Sequence, residues 1–191
     1  MKIEFIIPTY NRPAHLATIL WSLRAQTSPD WTSHVVSDCS PTGTLDNIKA
    51  MFANEPRIRF TDLDTRHNDF GHTPRNVGLM TATEDLVCMT GEDNYYMPLF
   101  VEEVLRSFSD ERVNIAFTDF IHNWGKLYTY IQSNLSWTHC DIGNVIYRTR
   151  YASQLRLDPT NFSADWLFTD LYIKTFAGYA HHIQKVLYVH N

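Results

Sequence analysis

The 191-residue chain has only three cysteines, Cys39, Cys88 and Cys140, and no Cys-x-x-Cys pair. An odd number of widely spaced thiols excludes a disulfide framework or zinc knuckle and fits a reducing compartment. There is no Lys/Arg run, and sixteen Lys plus Arg against twenty-one Asp plus Glu leave a formal charge of -5. Nothing here tracks a phosphate backbone, so no nucleic acid is expected as a partner. No apolar stretch approaches the roughly 20 residues of a membrane span, and Met1-Lys2-Ile3 runs into Pro8 without a signal-peptide apolar region. The expectation is a cytoplasmic protein with no membrane span. Internal repeats, low-complexity segments and Pro/Gly/Ser linkers are also missing, which predicts one domain over 1–191. G-x-S-x-G, Walker A and H-E-x-x-H motifs are absent too. Aromatic residues are abundant at 14%, with ten Tyr and five Trp, and such rings serve both cores and ligand platforms.

Hydrophobic periodicity sets the layout. Ile3–Ile7 is a short apolar run ended by Pro8, as expected of a strand buried on both faces. Pro13 then opens a helix carried by Leu16, Ile19, Leu20 and Leu23. His34–Val36, Ile58–Phe60 and Leu86–Met89 read as further strands. Helices are expected around Leu45–Phe52, from Pro74 through Met80, and over Pro98–Phe108. This alternation predicts an α/β fold with a mostly parallel sheet flanked by helices. Beyond Asn114 come strands at Ile115–Phe117, Gly143–Tyr147 and Val186–Val189, a helix over Ala164–Ala177, and an aromatic stretch from Trp124 to Trp137 suited to a small antiparallel excursion.

In such sheets ligands bind beyond the carboxyl ends of the strands. After the first strand come Pro8, Thr9, Tyr10, Asn11 and Arg12, which present hydroxyls, an amide and a guanidinium. After the second come Ser37, Asp38, Cys39 and Ser40, equally at home in a plain turn. Gly91-Glu92-Asp93-Asn94 follows the fourth; its adjacent carboxylates suit Mg²⁺ or Mn²⁺ completed by phosphate, or a solvated acidic turn ahead of a helix.

The ordered set IIPTYNRP, VVSDCSPTGT and PRNVGLMTATEDLVCMTGEDNYYMP resembles the nucleotide-binding half of family 2 glycosyltransferases. The resemblance covers Ile3 to Phe108 and implies a single GT-A (Rossmann-like) domain, with 1–108 as the nucleotide-sugar half and 109–191 as the acceptor and catalytic half. It implies a UDP-sugar donor, a Mn²⁺ or Mg²⁺ ion, and a glycan or glycoprotein acceptor. By the same resemblance, Pro8, Thr9 and Tyr10 lie against the base with Arg12 beside them, and Asp38 hydrogen-bonds the base. Arg66 or Arg75 meets the diphosphate, Glu92 the ribose and Asp93 the metal. The chain departs from the family pattern at Ser37 and Gly91, each in place of Asp, and at Cys39 in place of Gly. The overall run of sequence also resembles a chlorella-virus glycosyltransferase domain that decorates a capsid glycoprotein, which would make the cytoplasm that of a host.

Sugar transfer needs a base for the acceptor hydroxyl. The family's acidic helix opening before A-G-Y resembles the stretch ahead of Phe176-Ala177-Gly178-Tyr179, which implies Asp165 as that base. A helix shifted by one turn substitutes Asp170, and helix capping is the ordinary alternative for Asp165. A single in-line displacement with Asp165 as base gives inversion. Asp141 is expected near the acceptor or sugar, or as a turn cap. Trp166, with Trp124 and Trp137, is expected as an acceptor platform, and His190 as a second metal ligand or a structural residue. His181 and His182 fall on opposite faces of a strand and make a poor chelate. The rival readings are a sugar-phosphate nucleotidyltransferase, disfavoured by the lack of glycines after the first strand, and a non-catalytic nucleotide or sugar binder, made plausible by Gly91.

Overall fold

Ile3, Phe5, Ile6 and Ile7 put apolar side chains on both faces of the first strand, and β1 (Ile3–Thr9), its Glu4 included, is buried along its whole length in the interior of a sheet of nine strands among the described residues. A computed structural model describes all residues except Trp124, Lys126 and Ala177. β1 pairs in parallel with β2 (Trp31–Ser37) on one side and β4 (Leu86–Met89) on the other, and β2 pairs in parallel with β3 (Ile58–Asp62). The helices α1 (Pro13–Arg24), α2 (Asp46–Met51) and α3 (His72–Met80) make the crossovers. α3 lies close against β1 because residue 78 is glycine: a Cβ there would run into Ile6.

Beyond β4 the sheet mixes directions. A two-residue strand β5 (Tyr95–Tyr96) precedes α4 (Phe100–Ser107). The long β6 (Val113–Asn123) borders β8 (Val145–Arg148) with its first half and β7 (Tyr128–Ile131) with its second, both antiparallel. A 3-10 turn (Ile142–Asn144) leads into β8, the four-residue α5 (Thr149–Ala152) follows it, and α6 (Ala164–Thr175) precedes the last strand β9 (Tyr179–His190). β9 runs parallel to β6, and its end pairs with β5. The sheet order is β3-β2-β1-β4-β8-β6-β9-β5, with β7 on β6. The architecture is therefore α/β, with a mostly parallel sheet flanked by helices and antiparallel strands in the last third.

Most of the aromatic excess is core. Trp31, Tyr96, Tyr147, Tyr172, Tyr188, Phe5, Phe100 and Phe168 are fully buried, and edge-to-face pairs such as Phe5–Tyr96, at 4.9 Å, fill the space under α1 and α4. Buried polar groups are largely paired. Glu4 accepts from Arg59 at 2.6 Å and from the Thr83 amide at 2.9 Å. Asp119 accepts from His182 at 2.7 Å, Tyr130 at 2.9 Å and the Ser133 amide at 3.0 Å. Binding Asp119 in this way gives His182 a structural role.

His34 on β2 carries a pH dependence. Burial, aided by the Arg59 charge and opposed by Glu4, pushes its imidazole down from 6.5 to about 4. The unfolded chain takes up this proton near 6.5 and the folded chain only near 4, so the stabilisation is complete above that range and is lost as pH falls through it. At pH 4.5 the expected loss from this one group is about 2–3 kcal/mol. Urea unfolding at pH 7.5 and 4.5 checks it: wild type loses more than His34→Gln by that amount, and equal losses would show that His34 is not the cause.

Candidate active site

The carboxyl ends of β1, β2 and β4 open onto two adjoining cavities. The first, about 590 Å³, is lined by Pro8, Thr9, Tyr10 and Arg12 after β1, Asp38 after β2, and Glu92 and Asp93 after β4, with Arg66, Arg75 and His190. All the residues expected to hold a nucleotide or a metal therefore share one wall or another of this space. The second, about 400 Å³, is lined by Asp141, Asp165 and Trp166 together with Arg75, Asp93 and His190. Arg75, Asp93 and His190 thus stand where the two cavities meet.

The turn after β2 shows how the departures from the expected motif are accommodated. Cys39 takes φ 58°, a left-handed conformation that glycine adopts without strain. Ser37 Oγ accepts the Ser40 amide at 3.2 Å, closing the turn. Asp38 is buried, and its carboxylate accepts the His67 amide and ring on Oδ1 and the Asn68 amide on Oδ2, each at 3.0 Å. Burial raises this carboxyl, but the hydrogen bonds from Asn68 and His67 outweigh it and hold the group below its ordinary value. Asp38 thereby anchors the segment that carries Arg66. The Arg66 guanidinium lies 3.7 Å over the Tyr10 ring and donates to Asn68 at 2.8 Å. It lines the first cavity, whereas Arg75 lines both. Thr9 Oγ1 is buried without a hydrogen-bond partner.

Arg75 is 9% exposed, donates to the Phe70 carbonyl at 2.9 Å and makes no ion pair among the described residues. Its Nε is buried without a partner. A buried cation without a counter-ion is costly unless an anion comes to it.

The acidic turn after β4 is crossed by Arg12, which stands 3.1 Å from Asp93 and 3.7 Å from Glu92. Burial, then the neighbouring Asp93 charge, pushes the Glu92 carboxyl up to about 7 against the pull of Arg12. Glycine at 91 makes room for this turn: a Cβ there would stand 2.9 Å from Asp93 Oδ1 and 3.2 Å from Asn94 Nδ2. An aspartate at 91 would crowd Asp93. Asn191 ties the end of β9 to the turn, donating to the Asp93 carbonyl at 2.8 Å and to Asn94 at 3.2 Å. His190, the residue before it, lines both cavities together with Asp93. Among the described residues no three His, Cys, Asp or Glu side chains are close enough to hold an ion by themselves.

Asp165 is the second residue of α6, with Ser163 as the N-cap, and its Oδ1 accepts the Trp166 amide at 2.7 Å. It is not the helix cap. Asp170 pairs with Lys174 at 2.6 Å and lines neither cavity. Asp141 caps the 3-10 turn: its Oδ1 accepts the Gly143 amide at 2.8 Å and the Tyr188 hydroxyl at 2.6 Å, and its Oδ2 lies 3.7 Å from His190. It fills the role of turn cap while also lining the second cavity. Trp137 and Trp166 form an edge-to-face pair at 6.1 Å on the rim, whereas Trp124 lies outside the described residues.

Several wall residues were not expected from sequence. His72 lines the second cavity, and the exposed pair Phe70–Phe162, 5.0 Å apart, lines both. His122 contacts His190 through their Nδ1 atoms at 2.7 Å. None of these follows a strand within the first few residues, and their approach depends on chain pairings that periodicity does not report.

Comparison with known proteins bears on the fold and the family. The chain is 34% identical over 97 residues to the poly(ribitol-phosphate) beta-N-acetylglucosaminyltransferase TarS of Staphylococcus aureus, a match covering 50% of this chain and 17% of that protein. It resembles the crystal structure of residues 1–349 of S. aureus TarS in complex with UDP-GlcNAc, with a TM-score of 0.82, 21% identity and coverage of 99% of this chain and 58% of that one. The mannosyltransferase PcManGT of Pyrobaculum calidifontis, in complex with GDP-Man and Mn²⁺, shares the fold at a TM-score of 0.75 and 14% identity, over 98% of this chain and 56% of that one. The chain thus spans well under two thirds of these relatives. The match that carries the assignment is to the family as a whole: from residue 4 to residue 174 the sequence fits the glycosyl transferase family 2 pattern, and the chain belongs to that family.

Proposed function

We propose that this chain transfers a sugar from a UDP-linked donor to a hydroxyl of a glycan or glycoprotein, with inversion at the anomeric carbon. The observation that carries the reading is Arg75, a buried cation without a carboxylate partner at the junction of a nucleotide-sized and a sugar-sized cavity. A donor's diphosphate belongs at such a junction. Residues 1–108 then hold the nucleotide and 109–191 supply the acceptor side.

Thr9, whose Oγ1 is without a partner, and Asp38 line the first cavity and offer hydrogen-bonding capacity that suits the polar edge of uracil. Tyr10, with Arg66 on one ring face, offers its remaining surface to the base. Glu92, poised near neutrality, suits a ribose hydroxyl. Arg75 stabilises charge on the departing diphosphate. Asp165 accepts the proton of the acceptor hydroxyl as its oxygen attacks the anomeric carbon and the bond to the diphosphate breaks. Trp137, Trp166 and Asp141 form the acceptor wall.

The donor chemistry of the acidic turn fits a hard divalent cation that takes Asp93 and His190 from the protein and the remainder of its shell from phosphate and water. Such an ion, Mn²⁺ or Mg²⁺, would add charge neutralisation at the diphosphate. A second reading has a specific observation behind it: Arg12 already balances Asp93 at 3.1 Å, which favours transfer without metal. The test is UDP release from a panel of UDP-sugars with Mn²⁺, with Mg²⁺ and after EDTA. Turnover that EDTA abolishes supports the metal-dependent enzyme, turnover that survives EDTA supports the second reading, and no release from any donor contradicts both.

A further inference from the structure

Of the buried side-chain nitrogens and oxygens without a hydrogen-bond partner, four cluster at the start of α3: Asp69 Oδ1, both ring nitrogens of His72, and Arg75 Nε. Native structures leave few such groups, and a cluster beside a cavity calls for a reason. Arg75 has one in the diphosphate. His72 has none so far. It is 2% exposed and lines the sugar-side cavity. Its backbone amide bonds the Asp69 carbonyl at 3.1 Å, which fixes the position of the residue.

We propose that His72 is a specificity-determining residue of the donor-sugar site, hydrogen-bonding a hydroxyl of the transferred sugar from the floor of the second cavity. The inference rests on the reading of that cavity as the sugar site. A neutral imidazole offers one donor and one acceptor, which matches a hydroxyl. Burial, aided by the Arg75 charge and opposed by Asp69 and Asp165, lowers the His72 proton affinity and keeps the ring neutral. The Asn161 backbone acts in the opposite direction without outweighing burial. Neither ring nitrogen is open to water in this structure. The ring beside it, Phe70, stands 6.0 Å from the imidazole and is 62% exposed. Exposed side chains exchange rotamers within nanoseconds, and a hydrogen bond from a sugar to the imidazole requires a local movement of this kind. A site built to hydrogen-bond a hydroxyl also rejects a sugar that lacks it, because the buried polar group is then left unpaired.

The test compares affinities for UDP and for UDP-glucose, UDP-galactose, UDP-GlcNAc and UDP-GalNAc by calorimetry, in wild type, His72→Leu and His72→Gln. The expected result is a ratio of UDP-sugar to UDP affinity that falls about tenfold in His72→Leu for the preferred donor, with UDP itself unchanged, and that recovers in part in His72→Gln. If His72→Leu fails to fold, His72→Gln alone is read by the same ratio and is expected to shift it. An unchanged ratio, or UDP and UDP-sugar weakened equally, overturns the inference while leaving the proposed function intact. Failure of wild type to bind UDP overturns the proposed function instead.

Discussion

Replacing Asp165 by Asn is expected to lower the rate of transfer by about 10²–10⁴-fold while UDP affinity stays within about twofold of wild type. The size follows from the removal of a positioned proton acceptor, and the selectivity from geometry. Asp165 stands in the first turn of α6 on the wall of the second cavity, while the nucleotide residues line the first. The substitution keeps shape and hydrogen-bonding capacity at the Trp166 amide, so the helix is not expected to unfold. Asp170→Asn is the matched control. Asp170 is engaged by Lys174 on a helix face away from both cavities, and its loss is expected to leave transfer near wild type. Steady-state release of UDP in the two variants decides between them; an inactive Asp170→Asn beside an active Asp165→Asn would reverse the assignment.

Arg75→Met is expected to weaken UDP about 10–100-fold, the size of one or two charge-assisted hydrogen bonds, and to leave uridine binding nearly unchanged. The difference between the two ligands is the diphosphate, and Arg75 is the arginine at the junction of the cavities. Arg66→Met is expected to weaken uridine and UDP alike, because Arg66 braces Tyr10 and does not line the second cavity. Calorimetry with the two ligands separates the arginines. Equal loss of uridine and UDP in Arg75→Met would move the diphosphate contact elsewhere. Melting temperatures check that neither effect is unfolding; methionine fills much of the volume of the arginine stem and carries no charge to bury.

The first half of the fold can be read from the amino-acid order because β1, β2 and β4 are buried on both faces and the helices are short crossovers between neighbours. β1 extends past the expected stop at Ile7 to Thr9, since Pro8 sits at the strand's end, where the missing amide costs little. α3 begins at His72 and not at Pro74: Gly71 precedes it and Asp69 accepts the Thr73 amide at 2.9 Å, so the proline lies inside the first turn. β5 is too short to leave a periodic signal, and the early part of β9 carries His181 and His182 in place of an apolar run. β9 also pairs with β6 across more than sixty residues, a distance over which local pattern is silent.

The site divides in the same way. Asp38, Glu92 and Asp93 follow buried strands and announce themselves by position. Cys39 shows why departures from a motif need coordinates: its left-handed φ preserves the turn although the glycine is gone. His72 and Phe162 gain meaning only when α3 and the segment before α6 meet at one cavity, and the choice between Arg66 and Arg75 turns on which guanidinium is already stacked.

The most direct test of the account is calorimetric titration of the purified protein with UDP, beside ADP and uridine as comparison ligands. The account predicts that UDP binds, that uridine binds more weakly for want of the diphosphate, and that Asp38→Ala abolishes both by releasing the segment carrying Arg66. Binding of ADP as tight as UDP, or no binding of UDP at all, would contradict it.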